Sequence, residues 1–300
     1  MADSQVGMIG LGIMGSAMSA NLVRAGFSVI GHDPLAARRA GLKRAGGRPA
    51  RSAGEIGKRA AIVVTSLPSA EALAEVSAQL GAAGRIGQIV IETSTLPIEV
   101  KQAARKRLAA AGVTLLDCPL SGTGAQARTR DLVVLASGER GAYRKCIPVF
   151  EGFARAHYLI GAFGDGSKMK FIANLLVAIH NVAAAEAMVL GIKSGLDPAQ
   201  VLKVVSSGAG TSRMLEVRGP MMVKGDYSEA TMKVRVWQKD MKIIAEYARS
   251  IDCPTPLFLA SAPFYTAAMA MGRADEDTGS VCAVLEEMAR ARRRAARSIK

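Results

Sequence analysis

Six residues, Gly10-Leu11-Gly12-Ile13-Met14-Gly15, constrain the fold of this chain more than any others. They follow a β-rich run, Val6–Ile9, and open an apolar-periodic helical segment, Met14–Ala25. A G-x-G-x-x-G turn in that setting is the first strand-to-helix connection of a parallel sheet that binds a dinucleotide. Gly10 permits the tight turn, Gly12 lets the backbone approach a pyrophosphate, and Gly15 lets helix and strand pack closely. The helix N-terminus then faces the phosphate charge. The next β-rich run, Phe27–Gly31, leads to Asp33, placed to accept hydrogen bonds from the adenosine ribose hydroxyls. An acid there repels a 2′-phosphate, which favours NAD, and the nearby Arg38 and Arg39 keep NADP open.

The same alternation continues through the first half. Ala61–Ser66, Gln88–Glu92, Thr114–Asp117 and Leu132–Ser137 read as further strands. Ala36–Ala45, Ala70–Leu80 and Ile98–Ala111 read as the helices between them, and Gly26, Gly46 and Gly112 fall where helices end. Strand–helix repetition of this kind gives an α/β fold, a doubly wound, mostly parallel Rossmann sheet. From about Lys168 the strands stop and long apolar-periodic runs take over: Lys168–Ser194, Pro198–Ser206, Met232–Ser250 and Pro256–Met271. Asp197-Pro198 reads as an N-cap followed by proline in the first helical position. We therefore expect a Rossmann domain over residues 1–164 and an all-α domain over residues 165–300.

Composition narrows the class. Half of the residues are apolar and 21% are charged, an ordinary globular balance. The four cysteines, Cys118, Cys146, Cys253 and Cys282, form no C-x-x-C pair, which fits reduced thiols and a cytoplasmic location. His32, His157 and His180 share no metal-ligand spacing, so no metal is expected. The apolar stretch Phe171–Ile192 carries Asn174, His180, Asn181 and Glu186, too many polar groups for a membrane span; a buried helix is expected, and no membrane. The net charge of +14 is partly concentrated in the arginine-rich last eleven residues and otherwise dispersed. Aromatics make up 4% of the chain, too few to stack on bases, so a nucleic-acid partner is not expected. A positive field raises the local concentration of anionic substrates and of a dinucleotide.

A second motif carries chemistry. In Gly164-Asp165-Gly166-Ser167-Lys168-Met169-Lys170-Phe171-Ile172-Ala173-Asn174, Lys170 and Asn174 are four apart on an expected helix and share a face. An ammonium there can give a proton to a carbonyl oxygen or, deprotonated, take one from a hydroxyl. Burial and basic neighbours would favour the deprotonated form.

With these residues in view, the chain resembles the β-hydroxyacid dehydrogenase family over roughly residues 5–290. GMIGLGIMGSAMSANL is similar to that family's cofactor signature, and DCPLSGTGAQA, residues 117–127, to its substrate loop. The resemblance implies that Lys170 is the catalytic lysine and Asn174 its partner. It implies that Ser121 and Gly122 grip a substrate carboxylate, with Thr123 beside it. It places Leu11, Ile13, Met14, Leu67, Pro68 and Thr95 against the dinucleotide, with Lys239 of Trp237-Gln238-Lys239-Asp240. It further implies a small 3-hydroxy acid or its semialdehyde as substrate, and a homodimer or homotetramer built through the helical domain.

Four positions depart from the family pattern. Thr123 stands for the second glycine of S-G-G, Arg130 for another glycine, Ala173 for the first asparagine of a pair, and Met232 for a phenylalanine of the pocket wall. Imine reduction is the nearest rival activity, but relatives with that activity generally lack the lysine; glyoxylate or succinic semialdehyde reduction is a further alternative. A non-catalytic scaffold, or a nucleic-acid-associated protein using the basic tail, is the rival of another class.

Overall fold

The computed structural model describes residues 5–291, so the basic run beyond Ala291 lies outside the described residues. The chain forms two compact units, one running through Phe171 and one from Ile172. In the first unit, nine strands form one sheet. They are β1 (Gln5–Ile9), β2 (Ser28–His32), β3 (Arg48–Pro49), β4 (Ile62–Thr65), β5 (Ile89–Glu92), β6 (Thr114–Asp117), β7 (Leu120–Ser121), β8 (Val133–Ser137) and β9 (Ala156–Gly161). The order is β3-β2-β1-β4-β5-β6-β8-β7, with β9 also paired to β8. Strands β1 to β6 are parallel; β8 runs antiparallel to β6 and β7, and β9 runs parallel to β8.

Helices α1 (Ile13–Arg24), α2 (Ala36–Arg44), α3 (Ala53–Arg59), α4 (Ala70–Ala83), α5 (Ile98–Ala109), α6 (Gly124–Arg128) and α7 (Arg140–Phe153) connect the strands. One core holds Met8, Met18, Leu22, Leu116 and Phe150, and a second holds Ile9, Ile30, Ile56, Val63 and Leu115. Alternate residues of β1 and β6 enter different cores. The central strands are therefore covered on both faces, and apolar runs rather than clean alternation encode them. Gly26, Gly46 and Gly112 all have positive φ, between +71° and +90°, as helix-ending glycines require.

The strand register builds the site. His32, Ile9, Thr65, Glu92, Asp117 and Ser137 lie in one row of paired residues at the carboxyl ends of the parallel strands. The residues that follow the parallel-strand members of the row, and those that precede Ser137 on antiparallel β8, therefore emerge at one edge, where ligands of open α/β sheets bind.

Helix α8 (Asp165–Lys193) begins in the first unit. By length and composition it would cross a membrane, but half of its most apolar window is buried inside the protein. The second unit continues with α9 (Pro198–Ser206), α10 (Arg213–Lys224), α11 (Val234–Ser250), α12 (Pro256–Ala270) and α13 (Val281–Met288). Asp197 caps α9 through the N–H groups of Ala199 and Gln200, with Pro198 in its first turn. Asn181 Nδ2 donates to Tyr265 Oη at 3.2 Å and to the Thr278 carbonyl at 2.7 Å, pinning α8 to the other helices of this unit. Helix α11 starts at Val234 rather than at the expected Met232. The Thr231 and Met232 N–H groups instead donate to Asp277 Oδ2, at 2.8 and 3.1 Å. Asp277 also receives the buried Arg218 at 2.8 Å.

Candidate active site

The glycine turn has the geometry its spacing implies. Gly10 has φ +88°, and a Cβ there would lie 2.1 Å from the Ser66 carbonyl oxygen. A Cβ on Gly15 would lie 1.8 Å from the Gly10 oxygen, so α1 could not start where it does. Gly12 faces open space, with nothing within 4 Å of a built Cβ, and no side chain caps α1. The first-turn amides from Ile13 to Gly15 have no intrahelical partners of their own. An uncapped helix start reached through an open glycine fits a pyrophosphate.

Asp33 closes this turn. Its Oδ2 accepts from the Leu11 N–H at 2.9 Å and from Arg38 at 3.1 Å, and its Oδ1 accepts from the Leu35 N–H at 2.9 Å. Burial opposes ionisation here, yet the two backbone donors and the Arg38 guanidinium hold the carboxyl below the usual aspartate range. Arg39 is turned back onto the Asp33 and Pro34 carbonyls. Leu67 and Pro68 follow β4, and the Leu67 N–H donates to Ser94 Oγ at 2.8 Å. That bond ties the β4 loop to the loop carrying Thr95, which is half-buried.

The loop after β6 packs against the glycine turn. A Cβ on Gly124 would lie 2.5 Å from Ile13 Cγ2, and Asn21 of α1 donates to the Ala127 carbonyl at 2.7 Å. Gly122 has φ +133°, and a Cβ there would lie 2.7 Å from Leu132, so glycine is required beside Ser121. Thr123 also shapes the loop. Its hydroxyl accepts from the Gln126 N–H while its own N–H donates to Gln126 Oε1, a capping box that starts α6.

Arg130 shows why a glycine is usual at its position. Its φ is +61°, left-handed, which costs a side-chain-bearing residue about 1–2 kcal/mol. Its guanidinium donates to the Glu151 carbonyl at 2.7 Å; Asp131 is paired instead with Arg155. Replacement by glycine relieves the strain but loses that bond and loosens the unfolded chain. Arg130→Gly should therefore change unfolding stability by less than about 1 kcal/mol, read by chemical denaturation.

Asp117, the first residue of the loop motif, is fully buried and saturated with donors. Its Oδ1 receives Lys101 Nζ at 2.7 Å and Ser167 Oγ at 2.8 Å; its Oδ2 receives the Ser167 N–H at 2.8 Å and Ser137 Oγ at 3.1 Å. Lys101 Nζ also meets Glu92 Oε2 at 2.7 Å, and Glu92 Oε1 accepts the Ser94 N–H at 2.9 Å. Burial pushes the Lys101 ammonium towards losing its proton, but the Glu92 and Asp117 carboxylates outweigh that and raise its pKa above the ordinary lysine range. Lys170 is half-buried, one turn beyond Ser167.

In the second unit, Asn174 and Asp240 are both buried, and Asn174 Nδ2 donates to Asp240 Oδ2 at 3.0 Å. Lys239 Nζ lies 3.5 Å from Asp240 Oδ1. The late motif therefore meets α8 through Asp240, its last residue, whereas only Lys239 of that motif carried an expected role. Its signal was an acid on the buried stripe of α11, beside Trp237, Met241 and Ile244. Lys101 carried the same signal, a charge on the stripe of Ile98, Ala104 and Leu108. Among the described residues, no group of three or more His, Cys, Asp or Glu is arranged to hold a metal.

Comparison with known proteins joins these features. The profile of the NAD binding domain of 6-phosphogluconate dehydrogenase matches residues 5–161. That of the NAD-binding region of NADP-dependent 3-hydroxyisobutyrate dehydrogenase matches residues 164–285. L-threonate dehydrogenase of Cupriavidus necator is 36% identical over 282 residues, 92% of this chain and 94% of its own. Glyoxylate/succinic semialdehyde reductase 2, chloroplastic, of Arabidopsis thaliana is 29% identical over 286 residues, 94% of this chain and 79% of its own. The crystal structure of 3-hydroxyisobutyrate dehydrogenase from Salmonella typhimurium superposes with a TM-score of 0.85 at 31% identity, over 94% of this chain and all of that one. The chain belongs to the β-hydroxyacid dehydrogenase family of NAD(P)-binding oxidoreductases.

Proposed function

We propose that this enzyme oxidises a small 3-hydroxy carboxylic acid, or reduces the matching semialdehyde, with Lys170 as the proton carrier. What supports this most is the joining of the Ser121 loop and the Lys170 helix through one buried carboxylate, Asp117, at the edge where the dinucleotide turn lies. Gly10 to Gly15 hold the pyrophosphate, and Asp33, Leu67, Pro68, Thr95 and Lys239 complete the cofactor contacts. A nicotinamide dinucleotide held by these residues would supply the hydride acceptor for oxidation and the hydride donor for reduction. Ser121 Oγ and the Gly122 N–H hold the substrate carboxylate, and Thr123 offers its methyl beside them. Lys170 Nζ takes the hydroxyl proton during oxidation and delivers it to the carbonyl oxygen in reverse. Asn174, held by Asp240, orients the lysine.

NAD is the preferred cofactor, because Asp33 is ionised at the ribose end of the site and opposes a 2′-phosphate. A homodimer or homotetramer buries the apolar face that α8 and α13 leave exposed, at Ile172, Leu190 and Met288. Cysteines without disulfides, three of the four buried, suit a reducing cytoplasm.

A spectrophotometric panel tests the assignment: threonate, glycerate, 3-hydroxyisobutyrate, 3-hydroxybutyrate, glyoxylate and succinic semialdehyde, each with NAD(H) and NADP(H). At least one of the four hydroxy acids should turn over, faster with NAD(H); turnover of glyoxylate or succinic semialdehyde alone, which yield a 2-hydroxy and a 4-hydroxy acid, would favour the alternative reductase activity instead. Silence across the panel from folded, cofactor-binding protein would sink the reaction.

A further inference from the structure

The geometry points to Asp117 as a positioning residue for catalysis: its buried carboxylate, set by Lys101 and Glu92, fixes the start of α8 and so the place of Lys170. This rests on the proposed role of Lys170.

Helix α8 begins at Asp165, so the Ser167 N–H belongs to its first turn and has no partner within the helix. Asp117 supplies the acceptor at 2.8 Å, from the end of β6. A second bond, Ser167 Oγ to Asp117 Oδ1 at 2.8 Å, fixes the rotation of that turn about the helix axis. Ser137 holds the residue before the helix, accepting from the Gly164 N–H at 3.3 Å. Steric fit reinforces the clamp. A Cβ on Gly166 would lie 2.2 Å from the Leu135 oxygen and 2.9 Å from the Asp117 oxygen, so the helix start rests directly on the strand backbones.

The charges agree with this reading. Lys101 is shared by two carboxylates, so the buried triad carries a net negative charge. That charge lies against the positive end of a 29-residue helix, where an anion is stabilised. Lys101 also holds the Asp117 carboxylate in one orientation, leaving the remaining lone pairs aimed at Ser167 and Ser137. Asp117 is four residues before Ser121 in the same loop motif, and Ser167 is three residues before Lys170. One carboxylate thus sets the carboxylate-binding loop and the proton carrier relative to each other. Misplacing a catalytic group by about 1 Å can cost 10²-fold in rate.

The test compares Asp117→Asn and Ser167→Ala with wild type and with Lys170→Ala, assayed with threonate and 3-hydroxyisobutyrate and NAD. Ser167→Ala removes one bond and leaves the buried charges paired, so it serves where Asp117→Asn does not fold. We expect kcat to fall about 100-fold in Asp117→Asn and about 10-fold in Ser167→Ala, with the KM for NAD close to wild type. Adding either change to Lys170→Ala should lower the residual rate no further, because both act through Lys170. A readout that needs no substrate is the NMR signal of 13C-dimethylated Lys170, assigned by its loss in Lys170→Ala. Its titration midpoint should move in Asp117→Asn and Ser167→Ala. Folded variants with wild-type kcat and an unmoved lysine signal, beside an inactive Lys170→Ala, overturn the positioning role alone. Wild-type turnover in Lys170→Ala overturns the role of Lys170 and the positioning with it.

Discussion

Replacing Lys170 by alanine should lower kcat by about 10²- to 10⁴-fold, the range general acid–base catalysis contributes, while leaving NADH affinity close to wild type. Lys170 lies on a helix that begins 5 residues earlier and whose first turn is held by the Ser167–Asp117 bonds in the first unit. The pyrophosphate grip proposed above rests on a different element, the open start of α1 at Gly12. Proton transfer and cofactor retention therefore separate. Because the lysine interacts with the moving proton only as the bond to hydrogen breaks or forms, kcat and kcat/KM should fall together. Lys170→Arg should not restore the rate, since a guanidinium does not give up its proton at accessible pH. Steady-state assays with titration of NADH fluorescence check both statements. Parallel loss of turnover and cofactor affinity would indicate a damaged fold, and retained turnover would remove Lys170 from the reaction.

Much of the candidate site was legible because its residues lie in local motifs. A glycine turn has to occupy consecutive residues, and Asp33 follows from the length of one strand–helix–strand unit. The same holds for the fold: six strands of the sheet were marked by contiguous apolar runs. The two-residue β3 and β7 are too short to carry a pattern, and β9 is half-buried apart from the exposed Tyr158, with no buried face to alternate. Helices α7 and α10, with Pro148 and Pro220 inside them, carried no expectation, although α12 was expected despite its internal Pro263.

The supports of the site were harder to read. Glu92, Lys101 and Asp117 come from β5, α5 and β6, and only the register of the sheet brings them together. Asn174 and Asp240 are likewise joined only by packing of α8 on α11. In each case the available sign was a charged side chain on an apolar helical stripe. The local use of the Thr123 hydroxyl as a cap is likewise something no motif match reveals.

That buried lysine gives the largest expected effect on stability. Lys101→Met should destabilise the protein by about 3–5 kcal/mol, because it leaves two carboxylates buried without their shared cation. The unfolding midpoint should drop on the order of 10 °C in a thermal melt. Methionine matches the length of the stem, so the loss reflects charge rather than a cavity. The pH dependence separates the two causes. In wild type the folded pKa of Lys101 is raised. Its contribution is therefore fully present below the ordinary lysine pKa and is lost only as pH climbs through the raised folded value. Across neutral pH it is constant. In the variant, an orphaned carboxylate relieves its burial by taking up a proton that the unfolded chain does not hold at the same pH. The folded variant then binds more protons than the unfolded one, and its stability falls as pH rises. The deficit against wild type should be larger at about pH 8 than at about pH 5.5. Neutralising the carboxylates as well, in Glu92→Gln/Lys101→Met/Asp117→Asn, should recover part of the stability, since isolated buried charge is the penalty being removed. Turnover should not return with it, because amides cannot restore the charge-assisted clamp on Ser167. A deficit independent of pH, unrelieved by the triple change, would mean that Lys101 contributes by packing alone.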